Sequence, residues 1–202
     1  MKIILVIAIF LCVVCAAWFR DKSGNGRHAW RRKSAEKALA KINSFTGEHS
    51  QQQTFAYLRQ TDPFVFEEML LSAFQKYGFK IIRNRRYTGD GGIDGQIIIN
   101  GRRIPLQAKR YTGHIQLRHV QDFARVIDKR KAPFGLFCHT GRTGKGAYQS
   151  ACNEGKVWFI SGDTLIRLLQ GDKTLMEEIL SKMQSRHGKC NYDEKQTYGA
   201  VP

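Results

Sequence analysis

The sequence predicts an α/β fold, a mixed central β-sheet flanked by helices and preceded by an N-terminal transmembrane helix. Three observations predict it. Apolar patterns of helical and strand period alternate along the soluble part in the order α-β-β-β-α-β-α-β-α, which calls for a mixed sheet covered on both faces. Asn100-Gly101 joins two alternating segments as a hairpin, because a two-residue type I′ turn needs positive φ at both positions. Ile3 to Phe19 carries no charged residue, and at about 1.5 Å per residue such a helix just spans a bilayer.

The flanks of that first run set its orientation. Lys2 alone precedes it, whereas Arg20, Lys22, Arg27, Arg31, Arg32 and Lys33 follow against a single Asp21. Positive flanks stay on the cytoplasmic side. An uncleaved, single-pass anchor in the inner (cytoplasmic) membrane is therefore expected, with the rest of the chain in the cytoplasm. The small residues Cys15-Ala16-Ala17 are the rival signal, for a cleaved leader. Cys138, Cys152 and Cys190, an odd and scattered set outside the run, point to reduced thiols rather than a disulfide framework. The formal net charge of +16 points to a polyanionic partner, nucleic acid or anionic lipid.

The expected organisation is an anchor over 1–19, a basic helical linker over 20–61, a globular domain over 62–171, and a C-terminal helix with a polar tail over 172–202. Within the linker, helices are expected at Trp30 to Ile42 and Gln51 to Arg59, as a solvated spacer without chemistry of its own. Asp62-Pro63 opens the domain, an N-cap followed by a proline suited to the first helical turn. That helix should stop at Gly78. A strand over Phe79 to Arg83, the glycine-rich Gly89-Asp90-Gly91-Gly92 and the hairpin follow. Then come a helix from Ile115 to Lys129, a buried strand from Phe134 to His139, a helix ending at Glu154, a strand from Val157 to Ser161, and a helix from Asp163 to Gln170. A last helix is expected around Thr174 to Met183.

The hairpin register places the candidate chemistry. With Asn100-Gly101 as the loop, Ile99 opposes Arg102, and counting outward Asp94 opposes Gln107 as a non-hydrogen-bonded pair, Cα atoms about 4.5 Å apart. Lys109 shares the face of Gln107, while Ile97, Ile99, Ile104, Leu106 and Ala108 face the other way. Pro105 fits this register, since its missing N–H falls at a non-hydrogen-bonded position. On the first domain helix Glu67 sits inside the stripe of Phe64, Leu71 and Phe74, and Glu68 nearer Ser72 and Gln75 on the wetter side. A buried carboxylate needs a cation, so Glu67 is expected to meet a metal or, in the plainer reading, an arginine. Thr140, Arg142, Thr143 and Lys145, at the start of a helix, make a candidate phosphate-contact set together with Arg110. His114, His119 and His139 read as core or surface residues.

Glu67, Asp94, Gln107 and Lys109 suit one hard divalent cation plus a lysine. Mg2+ takes one or two carboxylates, waters and phosphate oxygens, and an adjacent ammonium can stabilise an attacking hydroxide or the charge on phosphorus oxygens. In so basic a domain this suggests phosphodiester hydrolysis. Phe66-Glu67, Gly89-Asp90-Gly91-Gly92-Ile93-Asp94, Gln107-Ala108-Lys109 and the stretch from Gly155 to Leu165 (GKVWFISGDTL) resemble the Mrr-like catalytic domain of restriction endonucleases, a branch of the PD-(D/E)xK nucleases. The resemblance covers Pro63 to Gln170. It implies Mg2+-dependent cleavage of double-stranded DNA, with Mn2+ as a substitute, Asp94 and the Ala108 carbonyl as metal ligands, Lys109 as the catalytic lysine and Glu67 as an accessory acid and ligand. Gln107 stands where the wider superfamily has an acid, the form this branch uses. A homodimer would be the simple route to a double-strand break. The rival from another class is a noncatalytic DNA-binding component of a membrane-associated DNA transfer or uptake assembly.

Overall fold

The computed structural model describes residues 26, 28–84 and 92–184. The expected anchor over 1–19, the turn at 89–91 and the polar tail lie outside them; among the described residues no helix is long and apolar enough to cross a membrane. In chain order the elements are α1 (28–43), α2 (Ser50–Gln60), α3 (Pro63–Lys76), β1 (Lys80–Arg83), β2 (Gly95–Ile99), β3 (Arg102–Lys109), α4 (Leu117–Lys129), β4 (Gly135–His139), α5 (Lys145–Glu154), β5 (Val157–Ile160), α6 (Gly162–Gln170) and α7 (Lys173–Gln184). The strands form one sheet in the order β1-β2-β3-β4-β5. The first three run antiparallel and the last two continue parallel to β3, so the sheet is mixed as expected.

The local chemistry of each junction accounts for this path. Asp62 caps α3, its Oδ1 accepting from the Phe64 and Val65 amides at 2.9 and 3.1 Å, which satisfies two of the helix's orphan donors. Asn100 and Gly101 take φ of 49° and 74°, the pair a type I′ turn requires. The strands close on it with Ile99 opposite Arg102 and Gly95 opposite Leu106. Pro105 costs the sheet nothing on its far side, because β4 begins to pair with β3 only at Leu106. The hairpin's apolar face, Ile97, Ile99, Ile104, Leu106 and Ala108, is buried in the larger core with α1, α2, α3, α6 and α7. On the sheet's opposite face α4 and α5 cover β4 and β5, where Phe123, Ile127, Ala147 and Ala151 cluster with Phe137 and Val157.

Two expectations are corrected. The segment over 20–61 is not a solvated spacer in its described part: Ala35, Ala38, Leu39 and Ile42 of α1 and Phe55 and Leu58 of α2 belong to the same core as α3. On α3 the buried stripe is centred on Phe66, Leu70 and Ala73, so Glu68 rather than Glu67 is the more enclosed, at 7% exposure. The arginine pair anticipated for Glu67 falls there: Arg83 on β1 donates to Glu68 at 2.8 Å and also reaches Gln75. Glu67 is left half-buried at the other edge of the helix.

Close approach of α3 to the sheet depends on a missing side chain. A Cβ on Gly95 would lie 2.7 Å from Leu71 Cδ2. Gly95→Ala should therefore cost about 1–3 kcal/mol through overpacking, whereas Gly146→Ala, with open space around it on α5, should be neutral or stabilising by at most about 1 kcal/mol. Urea unfolding of both variants checks this; a Gly95→Ala protein as stable as the parent would contradict the packing.

Candidate active site

Regular pairing between β2 and β3 ends at Gly95, and Asp94 lies just past it. The Asp94 amide donates to the Leu106 carbonyl at 2.8 Å. Its carboxylate reaches one residue beyond the opposed Gln107, where Oδ2 accepts from the Ala108 amide at 2.7 Å. In an extended strand the N–H and C=O of one residue point to the same side and successive residues alternate. Lys109 turns its carbonyl toward β4, accepting from the Thr140 amide at 3.3 Å. Ala108 must then turn both its groups toward Asp94, so its carbonyl leaves the strand on the side of the carboxylate.

Side chains follow the same alternation. Ala108 points into the larger core, while Gln107 and Lys109, in register with Phe137 and His139 of β4, occupy the other face. The Gln107 Oε1 is buried without a hydrogen-bond partner, an acceptor that an incoming ligand would satisfy. Glu67 comes in from α3, close enough for Asp94 and Lys109 to act on its charge. Of the expected set, then, the fold brings Asp94, Ala108, Lys109 and Glu67 into one neighbourhood.

The electrostatics of that neighbourhood are strained in one direction. Burial, then the charge of Asp94, pushes the Glu67 carboxyl up to about 8, with Arg31 and Lys109 pulling it down and Asp62 adding to the rise. Burial raises Asp94 as well, against the Ala108 N–H and Lys109, which favour its ionised form. Two acids that resist ionising in one neighbourhood, with a main-chain carbonyl beside Asp94, offer hard oxygen donors of the kind Mg2+ takes. Among the described residues no cluster of three or more His, Cys, Asp or Glu forms, so a cation here would rely on neutral oxygens, water and substrate for the rest of its shell.

The loops after β3 and β4 are zipped together beside this site. The Thr140 hydroxyl accepts from the Tyr111 amide and donates to the Tyr111 carbonyl, both at 3.0 Å. Ile115 donates to the Arg142 carbonyl, and Arg142 to that of Gly113. Gly141 has to be glycine, since a Cβ there would lie 2.5 Å from the Gly113 carbonyl oxygen. These contacts correct part of the expected phosphate set. Thr140 and Thr143 are buried, and the Thr143 hydroxyl binds the His139 Nε2 at 3.1 Å. Arg110 donates to the carbonyls of Arg59 and Thr61, clasping the end of α2. Only Arg142 and Lys145 of the set stand exposed. Of the histidines, His139 is a core residue, driven by burial down to about 3; His119 hydrogen-bonds the Tyr111 hydroxyl, and burial first, then Lys109, lowers it too.

One contributor escaped sequence reasoning. Arg31 of α1 lies with its guanidinium 4.0 Å from the Phe64 ring centroid and acts on Glu67. The available signal was a cation in line with Ala35, Ala38 and Ile42, the buried stripe of its own helix.

The family model for the Mrr catalytic domain, described as restriction endonuclease, matches residues 58–169. Among solved structures, the DNA modification-dependent restriction endonuclease AspBHI aligns with 71% of this chain and 42% of its own, at 20% identity and a TM-score of 0.43. The chain thus spans less than half the length of that protein. No curated protein matches.

The raised Glu67 value has a measurable sign. Between its ordinary value near 4.5 and about 8 the folded protein holds a proton that the unfolded chain has lost, so stability falls as pH rises through that window. In EDTA the parent should lose stability from pH 5 to 8, and Glu67→Gln should lack that component. Identical pH profiles in urea unfolding would show that Glu67 is not held protonated.

Proposed function

The chain belongs to the Mrr catalytic-domain family of restriction endonucleases, and on that premise we propose that it is a membrane-anchored, Mg2+-dependent endonuclease that hydrolyses phosphodiester bonds of double-stranded DNA. The observation that carries this reading is the 2.7 Å bond from the Ala108 amide to the Asp94 carboxylate, with Lys109 next in the strand. It gathers an anionic oxygen, a main-chain carbonyl and an ammonium at the end of β3.

Asp94 and the Ala108 carbonyl would hold the cation, Gln107 would offer its uncharged amide oxygen, and Glu67 would serve as an accessory acid. When bound, Mg2+, or Mn2+ in its place, supplies positive charge to the phosphate and lowers the pKa of a coordinated water. Lys109 stabilises negative charge as it builds on the phosphorus oxygens, the point at which a fixed cation contributes most. Arg142 and Lys145, exposed on the neighbouring loop and helix start, are the members of the expected set suited to flanking phosphates. The net charge of +16 supports a polyanionic substrate. A double-strand break would take two copies, one per strand. The charge-free run over 3–19 and the cations after it support a single-pass inner-membrane anchor with the nuclease domain in the cytoplasm, where it would meet DNA entering or leaving the cell.

Supercoiled plasmid incubated with the full-length protein and Mg2+ should be nicked, and Asp94→Ala or Lys109→Ala should lower the rate by about 100-fold or more. Equal nicking by all three proteins would remove the assigned site. DNA binding without nicking by any of them would favour the noncatalytic reading.

A further inference from the structure

Helix α1 lies before the family-matched residues 58–169, and its two sides differ in kind. Ala35 and Ile42 are fully buried, and Ala38 and Leu39 nearly so, in the core that α3 shares. On another side Lys33, Lys37 and Lys41 stand exposed, with Trp30, 57% exposed, at the N-terminal end of their row. At about 100° per residue these four fall within about 80° of one another, centred about 150° around the helix from the buried stripe. Lys41 leans toward Phe45, its Nζ 5.3 Å from the ring centroid, and stays exposed. Glu36, the one acid between positions 28 and 43, projects about 100° from the centre of the row.

We propose that this row is a docking surface for an anionic membrane leaflet, with Trp30 at the level of the headgroups and the three lysines against acidic phospholipid. The inference rests on the anchor reading, and two observations favour lipid over DNA as the occupant. Residues 20–27 alone separate the charge-free run from α1, and fully extended they reach about 30 Å, so a run that spans the bilayer holds Trp30 near its surface. An indole, apolar in body with one polar N–H, suits the interface and adds little to the grip on a duplex's phosphates. Lysines on a helix close to a membrane segment are the usual partners of acidic lipid, each strengthening attachment about fivefold. Because α1 packs into the same core as the catalytic helix α3, lipid under this row would fix how the whole domain faces the membrane. Helix α4, with its exposed Lys129, belongs to the layer across the sheet and would stay clear of the bilayer.

Full-length protein reconstituted into bilayers of phosphatidylcholine, alone or with phosphatidylserine, is acylated at its amines, and the rate at each lysine is read by mass spectrometry. At low salt phosphatidylserine should slow labelling of Lys33, Lys37 and Lys41 about fivefold or more relative to Lys129, and added salt should reverse the effect. Lys37→Glu, altered at an exposed position, should return Lys33 and Lys41 to their rates in the neutral bilayer. Equal protection of Lys129, or none of the row by phosphatidylserine, overturns the proposal. Protection of the row by a short duplex in the neutral bilayer, with none from phosphatidylserine, assigns it to DNA instead. A parent protein that does not stay with neutral bilayers refutes the anchor alone, because the same lysines, in protein mixed with phosphatidylserine vesicles, still decide whether the row meets acidic lipid.

Discussion

The register of one hairpin governs the site. Asn100-Gly101 admits the two left-handed residues of a type I′ turn, and from there each pairing outward is determined, through Gly95 opposite Leu106. A slip of one residue would send Ile97, Ile99, Ile104, Leu106 and Ala108 to the wrong face, and the larger core would have no floor. Because the register holds, the Asp94 carboxylate arrives beside the Ala108 peptide rather than anywhere else along β3. Because Gly95 lacks a side chain, α3 can settle close to that same point through Leu71 and bring Glu67 with it.

What gathers there is costly to fold. Glu67 and Asp94 both resist ionising, and Gln107 buries an amide oxygen without a partner. The surrounding structure holds these groups in place through contacts that take no part in the chemistry. They are the Thr140 clamp on Tyr111, the Arg110 clasp on the end of α2, and the Glu68–Arg83 pair that secures α3 to β1. Local instability at a site offset by ordinary packing elsewhere is the pattern expected where a ligand is to supply the missing interactions.

The hairpin was legible in the sequence because its information is local: turn chemistry and strict alternation specify the register without any knowledge of neighbours. The same holds for the Asp62 cap and the sheet's element order. Glu67 and Glu68 were harder, since helical period says which residues share a face but not that Arg83, fifteen positions away, would cover one of them. Thr140, Thr143 and Arg110 read as phosphate ligands because polar residues in a loop look alike until their distant partners are known, and their partners here are other loops and the end of α2. Helices α1 and α2 were expected, but their burial was hidden by composition: a thin apolar stripe that leans on alanines is easily lost among lysines and arginines, and with it went Arg31.

The central claim is that the Asp94 carboxylate and the Ala108 carbonyl form a divalent-cation site at the end of β3. Anomalous diffraction from crystals of the protein soaked in Mn2+ tests it most directly. The account predicts a peak within bonding distance of an Asp94 oxygen and the Ala108 carbonyl oxygen, absent in Asp94→Ala; a site saturated elsewhere, with none between those two atoms, would contradict it.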